Sequence, residues 1–329
     1  MNPWSMAFLP NGEMRVTERS GRLRMVRGEA LDPDPIEGVT AVHDRGDGGL
    51  LDVALHPGFA TNRLLYLSYA KPNAGGTEST TAVVRGRLDG NRLTDVQEIF
   101  EAMEWTTTNG HYGSRLAFDR EGYLYITVGD GMAPPSGDLA AHPAQDLGNH
   151  QGTIVRLHDD GRVPTDNPFV GRQGALPEIW SYGHRNLQGL VVHPETGDLW
   201  QTEHGPQGGD ELNLVLPGRN YGWPVVGYGV NYDSGLAIHE GTQREGMENW
   251  PWRAGAISRP RRSCGWSRSR GGETYREPCP RLSLSLRAVM VIMTNNWSLR
   301  CPAEALSPWL KPRRTSPTRS GKWRRAVPS

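Results

Sequence analysis

Residues 116–130 read LAFDREGYLYITVGD, and their pattern decides the fold class. Two apolar runs, Leu116-Ala117-Phe118 and Leu124-Tyr125-Ile126-Thr127-Val128, flank a turn of Asp119, Arg120, Glu121 and Gly122. The second run is rich in β-branched and aromatic residues, and the turn carries Asp and Gly, so the stretch predicts a hairpin. The same grammar occurs three more times. Met6-Ala7-Phe8-Leu9 leads through Pro10-Asn11-Gly12 to Val16-Thr17-Glu18. Val53-Ala54-Leu55 leads through His56-Pro57 to Leu65-Tyr66-Leu67-Ser68-Tyr69. Leu190-Val191-Val192 leads through His193-Pro194 to Leu199-Trp200-Gln201-Thr202-Glu203. With Phe8, Leu55, Phe118 and Val192 as equivalents, the steps are 47, 63 and 74 residues. A recurring hairpin with uneven insertions is the mark of an all-β fold of the β-propeller type, one blade per unit. Within each strand we expect alternate side chains to be apolar between blades and the others to be polar. Insertions such as 131–149 are expected to gather on one face, where ligand loops lie.

The whole chain has 329 residues, enough for one large β domain or two smaller ones. Its net charge of zero conceals two opposite parts. Residues 253–329 carry 17 Lys and Arg against 3 Glu, which leaves 19 basic and 33 acidic residues in 1–252. A basic arm for nucleic acid is one reading of that tail. The other, which we favour, is a segment translated out of frame. Residues 250–329 are rich in Arg, Ser and Pro, nearly lack Lys and show no sustained period. The expected organisation is a partial propeller over 1–249 and an irregular or disordered segment over 250–329. Cys264, Cys279 and Cys301 match no metal spacing, and their odd number closes no disulfide framework. No apolar stretch is long enough to span a membrane, and Met1-Asn2-Pro3-Trp4 does not read as a signal peptide.

Chemistry-bearing residues concentrate in 181–224, SYGHRNLQGLVVHPETGDLWQTEHGPQGGDELNLVLPGRNYGWP. Arg185 stays charged at any relevant pH and sits beside Asn186. It can stabilise negative charge on a ligand oxygen, or it can form a salt bridge between blades. Gly205-Pro206 and Asp210-Glu211 offer carbonyls and carboxylates to a hard cation, although an acidic turn in water has the same composition. Upstream, His111 lies in Asn109-Gly110-His111-Tyr112-Gly113-Ser114-Arg115. A neutral imidazole flanked by glycines can accept a proton, or it can simply be a structural hydrogen-bonder.

From about Pro3 to about Gly246 these motifs closely resemble the soluble quinoprotein glucose/sorbosone dehydrogenases. The resemblance implies a six-bladed propeller, of which about four blades are encoded here, and two cofactors, pyrroloquinoline quinone (PQQ) and calcium. It implies that His111 is the general base for the anomeric hydroxyl of an aldose. Arg185 would contact PQQ and stabilise charge on it, with Asn186 and Tyr232 as further cofactor contacts. Gly205 and Pro206 match carbonyl donors to the cofactor calcium. Asp210, Glu211 and Tyr221 match a second, structural calcium. The stretch 45–53, RGDGGLLDV, matches a cofactor-contacting loop, but Asp47 stands where the family has Gln. A carboxylate there repels a tricarboxylate quinone unless a cation intervenes. Ser114 stands where the family usually has Gly, and the basic residues of the last two blades have no match in 253–329. The implied reaction is oxidation of the C1 hydroxyl to a lactone by hydride transfer to the quinone, in the periplasm. The sequence does not specify the electron acceptor. The alternatives are a calcium-binding propeller without catalysis and a calcium-dependent propeller lactonase.

Overall fold

Four antiparallel sheets follow one another along the chain in the computed structural model, which describes residues 2–28 and 30–248. The first holds β1 (Pro3–Phe8), β2 (Met14–Glu18), β3 (Arg22–Arg27) and β4 (Ala30–Leu31). The second holds β5 (Leu50–Leu55), β6 (Leu64–Pro72), β7 (Ser79–Asp89) and β8 (Arg92–Glu101). The third holds β9 (Leu116–Phe118), β10 (Leu124–Val128), β11 (Thr153–Leu157) and β12 (Ile179–Tyr182). The fourth has three strands among the described residues, β13 (Asn186–Val192), β14 (Leu199–His204) and β15 (Glu211–Val215). Each strand pairs with its sequence neighbour, as in a propeller blade, and the four repeats are the first two strands of the four blades. The all-β expectation and the four encoded blades are therefore both met. The segment 250–329, with its three cysteines, lies outside the described residues.

The β9–β10 turn shows why these sequences make hairpins. The Asp119 carboxylate accepts the Tyr123 N–H at 2.8 Å, and Gly122 takes φ +88°, a left-handed conformation that suits glycine. Among the described residues, helix is confined to the single turn Phe59–Asn62, with 3-10 turns at Leu139–Ala141 and Pro143–Gln145 in the 131–149 insertion. No helix among the described residues is long and apolar enough to cross a membrane.

The strand alternation departs from expectation in one respect. All five residues of β10 are buried, so neither face is polar by exposure. Leu124, Ile126 and Val128 pack with Tyr66, Val83 and Phe100 of the second blade. Tyr125 packs the other way, with Leu187, Leu190 and Leu199 of the fourth. The sheet is sandwiched on both sides, and period-two alternation separates one apolar core from the next rather than core from water. A third cluster joins the first blade (Ala7, Leu23, Met25) to the second (Val53, Leu65, Leu67).

The first strands of successive blades are neighbours, β1 with β5, β5 with β9 and β9 with β13. A buried polar chain links them. Ser5 Oγ donates to Asp52 Oδ1 at 2.5 Å, and Leu116 N–H donates to Asp52 Oδ2 at 2.9 Å. Arg115 pairs with Asp52 at 3.5 Å, donates to the Gln188 carbonyl at 2.6 Å and lies 4.0 Å over the Trp4 ring. One guanidinium at the start of the third blade thus touches the other three. This holds the loops at the ends of the strands in fixed relation, and those loops carry the candidate site.

Candidate active site

His111 lies on the loop entering β9, at φ +53°. Its carbonyl abuts Gly129 at the end of β10 so closely that a Cβ there would collide with it. The ring Nδ1 is 2.6 Å from Oδ1 of Asp130, the residue after Gly129. Asp130 is 1% exposed, and its carboxylate also accepts the Met132 N–H at 3.0 Å and the Trp223 indole N–H at 2.8 Å. Every partner of that carboxylate is a donor. The proton of a neutral His111 therefore sits on Nδ1, and Nε2 carries a free lone pair. An oriented imidazole of this kind can take a proton from a bound hydroxyl.

Arg185 sits just before β13, and its carbonyl accepts the Asp130 N–H at 2.8 Å, which ties the two elements together. Its own N–H donates to Glu203 Oε2 at 2.6 Å. The guanidinium donates to the carbonyls of His204 (3.0 Å) and Gly205 (2.7 Å) and lies 5.3 Å from the Trp223 ring centroid. Its Nε is buried without a hydrogen-bond partner. Gly205 has no room for a side chain, because the Gly208 and Gly209 carbonyls crowd its Cα. These groups line a small, partly open pocket with Glu203, Pro206, Glu211 and His239. A second small pocket is lined by His111, Thr80, Thr81, Glu104 and Gln151.

Behind the first cavity, β14 and β15 set Glu203 directly opposite Glu211. Glu203 is held by His184 Nδ1 (3.1 Å), Gln201 (2.8 Å) and Asn213 (3.1 Å), and these donors with the His184 charge keep it below the usual carboxylate range despite its burial. Burial first, and then the facing Glu203 charge, push Glu211 well above that range, against one hydrogen bond from Asn213.

The sequence-derived residues are not all brought together. His111, Arg185, Gly205, Pro206 and Glu211 line the two cavities. Asn186 is buried beside Arg185, and its Oδ1 accepts the Gly113 N–H at 3.3 Å and the Gln188 amide at 2.9 Å. Asp47 is exposed next to the His111 loop, where its N–H meets the Asn109 carbonyl at 2.8 Å. Tyr232 is 64% exposed, beyond the Val230–Gln207 bridge. Asp210 and Glu211 diverge. Glu211 turns inward, whereas the Asp210 side chain is 71% exposed and caps the Gly205 N–H at 2.9 Å. Consecutive residues at a strand start face opposite ways, so the two carboxylates do not converge. The Tyr221 hydroxyl is committed to the backbone, donating to Leu214 O (2.6 Å) and accepting from Leu216 N–H (2.9 Å). No cluster of three or more His, Cys, Asp or Glu suited to a metal occurs among the described residues. Asp130, Trp223 and His239 were given no role by the sequence. Asp130 closes the quoted hairpin, and its position at a strand mouth was the one signal available.

The sequence pattern of the Glucose / Sorbosone dehydrogenase family matches residues 1–257. The chain belongs to that family. It is 46% identical to an aldose sugar dehydrogenase of Escherichia coli over 243 residues, 73% of this chain and 63% of the relative. The apo-form structure of the soluble aldose sugar dehydrogenase from Escherichia coli superposes with a TM-score of 0.70 at 42% identity, covering 76% of this chain and 71% of that one. The PQQ-bound aldose sugar dehydrogenase of Streptomyces coelicolor superposes at 0.58 and 32% identity, covering 72% and 66%. This member of the glucose/sorbosone dehydrogenases spans about six-tenths of the length of the curated relatives it matches.

Proposed function

We propose that the two cavities form the site of an aldose dehydrogenase that uses PQQ and calcium and oxidises the C1 hydroxyl of the sugar to a lactone. The observation that carries this reading is the His111–Asp130 pair, 2.6 Å apart, joined through Asp130 and Trp223 to the cavity that Arg185 lines.

Two features support a place for PQQ and for one calcium. The carbonyls of His204 and Gly205 already hold a cationic group, the Arg185 guanidinium, and carbonyl oxygens in a glycine-rich turn suit calcium. Gly205 and Pro206 would donate to the cofactor calcium, whereas Asp210, Glu211 and Tyr221 do not converge on a second one. The partnerless Arg185 Nε and the Trp223 ring would receive a flat, polyanionic quinone, with Asn186, Asp47 and Tyr232 as further contacts. When bound, PQQ would supply a two-electron acceptor for hydride and calcium a Lewis acid. His111 Nε2 takes the hydroxyl proton, the Asp130 carboxylate stabilises the resulting imidazolium, and Arg185 places positive charge beside the acceptor. The periplasmic setting and an external electron acceptor belong to this proposal.

Steady-state dye reduction by the chain with PQQ, calcium and an aldose tests it. Activity is expected, and His111→Ala is expected to lower it by about 10²- to 10⁴-fold, the usual contribution of a general base. Equal activity in the two chains would reject the assignment of His111.

A further inference from the structure

Trp223 takes no part in the roles set out for the sequence motif around it, yet its indole joins the two halves of the site. Its Nε1–H donates to Asp130 Oδ2 at 2.8 Å across 93 residues of sequence. Asp130 Oδ1 takes the other two donors, His111 Nδ1 at 2.6 Å and Met132 N–H at 3.0 Å. The carboxylate is therefore held at both ends. Among the described residues, Asp130 is the only hydrogen-bond partner of the His111 ring.

Trp223 is itself clamped. Its backbone N–H donates to the Gly183 carbonyl at 2.8 Å, and its carbonyl accepts the Gln145 amide at 2.6 Å. The rings of His142 and His239 pack edge-on against it, with centroids 6.1 and 5.6 Å away, and Arg185 lies over it. The indole is 7% exposed and also lines the cavity beside Arg185. It presents one N–H in one place.

We propose that Trp223 is a positioning residue for the proton acceptor: its indole N–H fixes the Asp130 carboxylate and, through it, the tautomer and orientation of His111. The inference rests on the aldose dehydrogenase reading for its catalytic meaning, but its geometry stands apart from that reading. A neutral imidazole can carry its proton on either nitrogen, and a carboxylate fixed at Nδ1 selects the form with a bare Nε2. A carboxylate free at Oδ2 turns about its last bond to find another donor, and buried acceptors do so because an unmet hydrogen bond is costly. The alignment with His111 is then lost.

Trp223→Phe removes the N–H and keeps an aromatic six-membered ring. In the chain with ¹⁵N-labelled histidine, the parent is expected to show His111 with a protonated Nδ1 and an unprotonated Nε2. In Trp223→Phe the two nitrogen shifts are expected to move toward each other as both tautomers are populated. A folded Trp223→Phe chain with unchanged His111 shifts overturns the proposal. The parent alone gives an independent reading should the variant not fold. The Trp223 indole proton is expected to exchange with solvent slowly, and exchange as fast as that of an exposed indole overturns the proposal without any substitution. With PQQ, calcium and aldose, Trp223→Phe is expected to lower turnover by about tenfold or more and to change KM by less than about twofold, since only part of the base's contribution is lost. If neither chain oxidises an aldose, the dehydrogenase reading fails and the nitrogen shifts still decide the positioning role.

Discussion

Glu211 illustrates what a single residue in this site must tolerate. It faces Glu203 across β14 and β15, and burial with that neighbouring charge raises its pKa well above that of an ordinary glutamate. The folded state therefore holds a proton that the unfolded chain releases near about pH 4.3. The sign follows from linkage: stability from this group is full below the unfolded value and is lost as pH rises toward the folded one. Thermal unfolding of the calcium-free chain is expected to show a falling Tm as pH rises from about 4.5 to 7. Glu211→Gln should remove that dependence and raise Tm at pH 7, and a variant Tm that tracks the parent across the range would contradict the account. His111, Arg185 and Gly205 stood out in the sequence within glycine-rich polar motifs, and the roles expected of them came from the family resemblance. Asp130 and Trp223 were not, because their roles come from contacts 19 and 93 residues away. Tyr232 is 64% exposed, and its motif position alone does not report which way a loop side chain faces.

At the level of the strand, the hairpins were legible and their environment was only half so. The spacing located the first two strands of every blade, because Asp, Pro and Gly turns punctuate apolar runs. It misjudged the second face of β10, because a strand packed on both sides shows the same alternation as one packed on a single side, with size and aromaticity in place of polarity. Tyr125 and Ile126 make the difference measurable, as they are adjacent yet belong to different apolar clusters. Both Ile126→Ala and Tyr125→Ala should destabilise the chain to urea, by about 2–5 kcal/mol each. On a sheet with one face in water, one of the two would be nearly neutral, and that outcome would refute the sandwiched arrangement.

For the molecule as a whole, the buried chain Ser5–Asp52–Arg115–Gln188 runs through all four blades and fixes the loops beyond them. The site depends on this frame: His111 and Asp130 come from the third blade, Arg185 and Gly205 from the fourth, and Trp223 from the segment after it. Fold class and family were readable from repeats and motifs, whereas the meeting of these elements required the three-dimensional arrangement. The central claim is that this arrangement brings a proton-accepting imidazole to a pocket for a quinone and calcium. A single-turnover experiment tests it most directly: the absorbance of PQQ bound to the chain with calcium is followed after one addition of aldose, in the parent and in His111→Ala. Rapid loss of the oxidised-quinone band in the parent, with the band persisting in a variant that still binds PQQ, is the predicted result. A band that persists in the parent, or bleaches equally fast in both, would contradict the account.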